Sequence, residues 1–113
     1  MNQRKPFKTH FVDEKLAATF EKLSFGTYEE KELFASLRKA FEDITKNPFS
    51  CIQIQQKKWP KDYVKKYGIT NLWKCDLPRG WRLIYTITED EIEIISIVLE
   101  WFSHKEYERK FNY

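Results

Sequence analysis

Residues 71–85 alternate apolar and charged side chains with a period of two, which is the pattern of a β-hairpin. If residues 78–80 form its loop, the apolar side chains share one face of the hairpin and most charged ones share the other. A shift of one residue would mix the two faces, so the pattern predicts a single register. The predicted facing pairs are Leu77–Trp81, Cys75–Leu83, Trp73–Tyr85, Asp76–Arg82 and Lys74–Ile84.

Further strands are predicted on either side of this hairpin. A turn at Glu89-Asp90 leads into residues 92–102, whose nearly continuous apolar run favours a central strand buried on both faces. A strand is also expected at residues 7–12, and a short helical turn at residues 104–111 closes the chain.

The first half of the chain reads as a helical hairpin. Asp13 can cap a first helix that stops at Gly26, and Thr27 with Glu30 forms a capping box for a second that ends at Asn47-Pro48. A short basic helix follows between Pro60 and Gly68. The expected fold is α+β: an N-terminal helical hairpin packed on an antiparallel β-sheet meander, as one domain of residues 1–113.

Composition narrows the class of protein. Hydrophobic residues make up 42% of the chain, which is typical of a folded domain, and no apolar stretch is long enough to span a bilayer. The start lacks the apolar run of a secretory signal, so we expect a cytoplasmic protein without a membrane partner.

Cys51 and Cys75 form no CxxC pair and no histidine completes a zinc site, so neither a disulfide nor a metal is expected, and no cofactor.

Positive charge is concentrated in the middle of the chain. Residues 57–88 contain eight Lys/Arg and two Asp/Glu, or +6, whereas residues 1–56 are +1 and residues 89–113 are −4. The register places Lys74 and Arg82 on one side of the sheet with Arg79 in the loop beside them, a candidate phosphate-binding surface. A cross-strand salt bridge between Arg82 and Asp76 is the structural alternative.

The strings at residues 72–85 and 101–107 carry a family resemblance. Arg-Leu-Ile-Tyr at 82–85, an acidic turn, an apolar strand, and then His-Lys and a tyrosine at 104–107 are similar to the RelE/ParE superfamily of type II toxins. The resemblance implies a ribosome-dependent endoribonuclease that cuts messenger RNA without a metal. In such enzymes the 2′-hydroxyl of the substrate attacks the adjacent phosphate. A separately encoded antitoxin would cover the basic patch and silence the enzyme.

The resemblance also suggests roles for individual residues. Arg82 would stabilise the phosphate and Lys74 would assist it. His104 and Lys105 would transfer protons and contact phosphate, and Tyr107 would stack on a base or share the proton transfer. A histidine after a strand can equally serve only as a helix cap, and Lys105 can be an ordinary solvated residue.

Other residues are assigned to binding or to the core. Arg79 and the lysines Lys57, Lys58, Lys61 and Lys65 are expected to attract ribosomal or messenger RNA rather than to act in catalysis. Trp59, Tyr63 and Tyr67 follow a spacing that is more typical of core than of base stacking. Glu100, a possible base, is expected on the core side and is left out of the site.

Two alternative functions remain open at this point. A ParE-like toxin with the same architecture would inhibit DNA gyrase, although that branch generally lacks the catalytic cluster. A non-catalytic module on the same scaffold would bind RNA or protein without cutting.

Overall fold

A computed structural model of the chain describes residues 5–112; residues 1–4 and 113, which the predicted domain also includes, lie outside the described residues. The elements in chain order are β1 (Phe7–Phe11), α1 (Glu14–Leu23), α2 (Tyr28–Lys46), β2 (Ile52–Gln53), α3 (Lys61–Tyr67), β3 (Trp73–Asp76), β4 (Arg82–Glu89), β5 (Ile94–Phe102) and α4 (His104–Phe111). This combination of helices and strands confirms the α+β class.

The five strands form one mixed sheet in the order β1-β5-β4-β3-β2. Strands β3 to β5 form an antiparallel meander, as predicted, and β2 adds to it in antiparallel pairing with β3, but β1 pairs with β5 in parallel. The expectation of a purely antiparallel sheet is therefore wrong for β1. Alternation of side chains determines which face of a strand is buried and carries no information about the direction of its neighbour.

The predicted hairpin register is confirmed. Asp76 faces Arg82, Lys74 faces Ile84, and the other strand pairs follow. The Leu77 amide donates to the Trp81 carbonyl at 2.8 Å, which closes the ladder at the loop. The charged and apolar faces of this hairpin are therefore separated as the sequence requires.

The helix boundaries follow local capping chemistry. The Asp13 side chain accepts a hydrogen bond from the Leu16 amide at 2.8 Å at the start of α1. At the start of α2 both hydrogen bonds of the Thr27–Glu30 capping box form. Gly68 ends α3 in the left-handed conformation, with φ of 59°.

Two apolar clusters occupy the two faces of the sheet. The first lies beneath α1 and α2 and includes Leu37, Ile44 and Leu83. The second lies beneath α3 and α4 and includes Tyr63, Ile84 and Phe111. Val98 belongs to the first cluster and Leu99 to the second, so β5 contributes to both cores, as its continuous apolar run predicted.

The expectation that the two cysteines remain unpaired is wrong. Cys51 and Cys75 form a disulfide, with their Cα atoms 5.1 Å apart. The pairing of β2 with β3 brings together two residues that are 24 positions apart in the sequence. Because β2 has only two residues, its pairing with β3 could not be predicted from a pattern in the sequence.

Within residues 5–112, none of the helices combines the length and the apolar character that a membrane crossing requires.

Candidate functional site

Lys74 and Arg82 meet above the ring of Tyr107, on the sheet face that α4 covers. The Lys74 Nζ lies 5.3 Å from the centre of that ring, and the Arg82 guanidinium carbon lies 5.4 Å from it. We call these three residues, together with Asp76, the cationic cluster. A ring face attracts cations, which offsets part of the repulsion between the lysine and the arginine.

Asp76 joins the two cations. Its Oδ1 atom lies 3.2 Å from the Lys74 Nζ and 2.9 Å from the Arg82 Nε. The cross-strand salt bridge considered as an alternative is therefore present, but one carboxylate faces two cations and leaves a charge of +1. The side chains of Lys74 and Arg82 are 18% and 17% exposed, so a ligand can reach both.

The hairpin loop orients Arg82 further. Its Nη1 donates to the Gly80 carbonyl at 2.8 Å and to the Trp81 carbonyl at 3.3 Å. Two backbone acceptors and the Asp76 carboxylate thus hold the guanidinium in place. A cation whose orientation is already fixed loses little side-chain entropy when an anion binds.

A second capping box begins α4 and places His104 beside the loop. The Ser103 hydroxyl accepts from the Glu106 amide at 3.3 Å, and the Glu106 carboxylate accepts from the Ser103 amide at 3.0 Å. Ser103 is therefore the N-cap of α4, and the imidazole of His104 does not serve as the helix cap. His104 is exposed, pairs with Glu108, and packs its Cβ where a side chain on Gly80 would lie.

Tyr107 and Lys105 occupy different environments on α4. Tyr107 is only 4% exposed and stacks on Phe111, with ring centres 4.7 Å apart. Its ring is thus largely covered, and the role of Tyr107 in base stacking or proton transfer stays a prediction. Lys105 is exposed on the first turn of the helix.

Arg79 is not beside Lys74 and Arg82, contrary to expectation. Its guanidinium lies 3.2 Å from the Glu32 carboxylate of α2, which packs on the opposite face of the sheet. Arg79 has a φ of 63°, in the left-handed region, at the point where the loop reverses the direction of the chain between β3 and β4. Arg79 thus belongs to the helical side of the loop.

Glu100 also lies on the other face from the one predicted. Ile84 faces Glu100 and Tyr85 faces Val98, so Leu99 is an extra residue in β5 and forms a β-bulge. The bulge turns Glu100 to the face shared with Ile84 and α3. Burial, and then the nearby Glu100 carboxylate, raise the pKa of Tyr63. The prediction assumed strict alternation of side chains along β5 and therefore placed Glu100 on the wrong face.

The predicted RNA-binding lysines lie on the same side of the sheet as the cationic cluster. Three of them, Lys57, Lys58 and Lys61, line a pocket of about 430 Å³, whereas Lys65 lines a neighbouring groove of about 690 Å³.

Tyr63 is 1% exposed, and Trp59 and Tyr67 pack against the same core cluster, so the core assignment of these aromatic residues is confirmed. No cluster of three or more potential metal ligands occurs among residues 5–112.

Comparison with known proteins gives no match: no family model, no curated protein and no solved structure is significantly similar to the chain.

Proposed function

We propose that the protein is a RelE-like messenger RNA interferase, an endoribonuclease that cuts RNA on the ribosome without a metal ion. The supporting observation is the convergence of Lys74 and Arg82 above Tyr107, with a single carboxylate between them. Two held cations with partial exposure suit a phosphodiester, whose charge increases as a fifth oxygen approaches phosphorus.

In the proposed reaction the 2′-oxygen of a ribose attacks the adjacent phosphorus. The 2′-hydroxyl proton passes to a base, the new O–P bond forms, and the bond from phosphorus to the 5′-oxygen breaks. The departing oxygen takes up a proton, which leaves a 2′,3′-cyclic phosphate and a 5′-hydroxyl end. Arg82 and Lys74 stabilise the charge on the non-bridging oxygens throughout.

His104 is the proposed proton-transfer residue. Its imidazole is exposed, and His104 and Arg82 both lie near Gly80: a Cβ added at Gly80 would lie 3.0 Å from the His104 Cβ, and the Arg82 Nη1 donates to the Gly80 carbonyl. Glu108, which pairs with the Nε2 atom, orients the ring. Lys105, exposed on the same turn, contacts a neighbouring phosphate. Tyr107 positions the two cations from beneath rather than meeting the substrate.

Induction of the protein without a partner tests this proposal. Wild-type protein should halt growth and yield cleaved transcripts on translating ribosomes, and Arg82→Ala should lower both effects by on the order of a hundredfold or more. Arg38→Ala, which removes an exposed arginine from α2, serves as the control. If the Arg82 variant were as toxic as the parent, this mechanism would be wrong. Co-expression of an acidic antitoxin from a neighbouring reading frame should restore growth.

One observation favours a second candidate, an RNA-binding module without activity. Asp76 already pairs with both cations, so the cluster is also stable without a substrate. Such a module would bind RNA with steep salt dependence but would neither arrest growth nor cleave transcripts. Growth arrest without cleavage, together with inhibition of DNA supercoiling, would instead indicate the ParE-like mode.

A further inference from the structure

A second basic site lies at the far end of α4 from the hairpin loop. Its pocket of about 430 Å³ lies between the segment that precedes α3 and the last turn of α4. We call it the lysine pocket. Its lining residues are Lys57, Lys58, Trp59, Pro60, Lys61, Lys110, Phe111 and Asn112. Lys110 joins three lysines that are distant in sequence, so the sequence alone did not single it out.

The lining residues of the lysine pocket carry a net positive charge. None of its lining residues is acidic. Lys110 pairs with Asp62 outside the lining at 2.5 Å, whereas Lys57 and Lys61 form no ion pair with the residues that the structure describes. Cations gathered around one concavity repel each other, and a bound anion would relieve that repulsion.

The walls of the lysine pocket are fixed by the second core. The Trp59 indole donates to the Ile54 carbonyl at 2.9 Å, and Phe111 is 1% exposed. Lys110 lies 5.0 Å from the centre of the Tyr63 ring. The concavity is therefore shaped in part by aromatic side chains that are packed in or against the second core.

The lysine pocket and the cationic cluster are near neighbours along α4. Tyr107 lies beneath Lys74 and Arg82, and Lys110 and Phe111, about one helical turn further, line the pocket. One turn advances about 5 Å along the axis. A nucleic-acid strand carries a phosphate every ~3.4 Å in a duplex and at wider intervals when extended, so one strand can place phosphates at both sites.

We infer that the lysine pocket is a second phosphate subsite for the same RNA strand that the cationic cluster binds. The ligand is a single-stranded polynucleotide, because its flexible backbone can place successive phosphates at both sites. This inference rests on the proposed RNA substrate and not on cleavage. It also predicts that Lys57, Lys61 and Lys110 contact RNA at one defined position of the strand, instead of attracting RNA without a fixed position.

The test measures RNA affinity with Lys57→Ala/Lys61→Ala, which leaves the Lys110–Asp62 ion pair intact. Lys15→Ala/Lys22→Ala removes two exposed lysines from α1 and is the matched control. The probes are labelled oligoribonucleotides of eight and two nucleotides, 2′-O-methylated so that they lack the attacking hydroxyl. Fluorescence anisotropy over a series of salt concentrations gives the affinity and its salt dependence.

We expect the pocket variant to bind the eight-nucleotide probe on the order of tenfold more weakly. The slope of log affinity against log salt should fall by about 1.4, or about 0.7 for each lost contact. The control variant should keep the parent slope, and the two-nucleotide probe, whose single internucleotide phosphate cannot occupy both sites, should bind alike to all proteins.

Two results would overturn the inference: an unchanged slope for the pocket variant, or an equal loss of affinity for both probes. The second would mean that the pocket binds a lone phosphate group. If Arg82→Ala remained toxic while the pocket variant still lost affinity for the long probe, the cleavage proposal would fail and the subsite would stand. Circular dichroism confirms that each variant is folded.

Discussion

The carboxylate of Asp76 meets the guanidinium of Arg82 across the β3–β4 pair, with Oδ1 2.9 Å from Nε. Asp76 therefore holds the arginine and also competes with any phosphate for it. In Asp76→Asn a polar oxygen can remain near Nε, but the competing negative charge is removed. We expect RNA affinity at low salt to rise by about fivefold, equivalent to about 1 kcal/mol, in an anisotropy titration.

Asp43→Asn is the control for this change. Asp43 pairs with Lys39 on the exposed side of α2, so the variant alters net charge equally without touching the cluster. A rise in affinity of the same size in both variants would show that only net charge matters. A fall in affinity with Asp76→Asn would mean that the carboxylate acts mainly by positioning Arg82.

Gly80 lies in the hairpin loop near His104 of α4, so Gly80→Ala should disturb both the loop and the helix. Its φ is 81°, a conformation that an L-residue adopts with strain, and an added Cβ would lie 3.0 Å from the Cβ of His104. We expect a loss of at least about 2 kcal/mol in the free energy of unfolding, measured by urea denaturation, and weaker RNA cleavage.

Gly68→Ala separates strain from steric contact. Gly68 also has a positive φ, 59°, but nothing lies within 4 Å of the position of its Cβ. This variant should lose only about 1 kcal/mol, the cost of the backbone conformation, and should retain activity. Equal losses in the two variants would show that the contact with His104 contributes nothing.

The Cys51–Cys75 disulfide should contribute strongly to stability. It closes a segment with a sequence separation of 24, for which the loop-entropy relation gives about 3.5 kcal/mol. Urea denaturation with and without a thiol reductant should show a loss of this size. Cys51→Ser/Cys75→Ser should be as unstable as the reduced parent and should not respond to reductant. An unchanged unfolding midpoint in reductant would contradict the expectation.

Much of the fold could be predicted because local rules dominate in the relevant segments. The charged and apolar faces of the hairpin determine its register, and caps such as Asp13, Thr27 and Gly68 mark helix ends without reference to the rest of the molecule. The same register places Lys74 and Arg82 on one face, so the centre of the candidate site could be predicted as well.

The errors come from features that depend on distant parts of the chain. The extra residue Leu99 reverses the face of Glu100, and no local signal marks a bulge inside a uniformly apolar strand. The disulfide depends on where β2 pairs, and Arg79 is directed away from Lys74 and Arg82 by Glu32 of α2.

Two buried tyrosines should make stability fall at high pH. Burial raises the pKa of Tyr63 and of Tyr85, whose hydroxyl donates to the Pro48 carbonyl at 2.5 Å. In the folded protein both residues keep their protons above pH 10, whereas in the unfolded chain they ionise near that pH. Their contribution is therefore complete below about pH 10 and is lost as the pH rises towards the folded-state pKa.

The measurement is urea denaturation of the parent and of Tyr63→Phe and Tyr85→Phe between pH 8 and 11. Above pH 10 each tyrosine should contribute a loss approaching about 1.4 kcal/mol per pH unit, and each Phe variant should show a correspondingly shallower decline. Tyr28→Phe, at an exposed position, should follow the parent. Parallel declines in the parent and both buried-site variants would contradict the assignment.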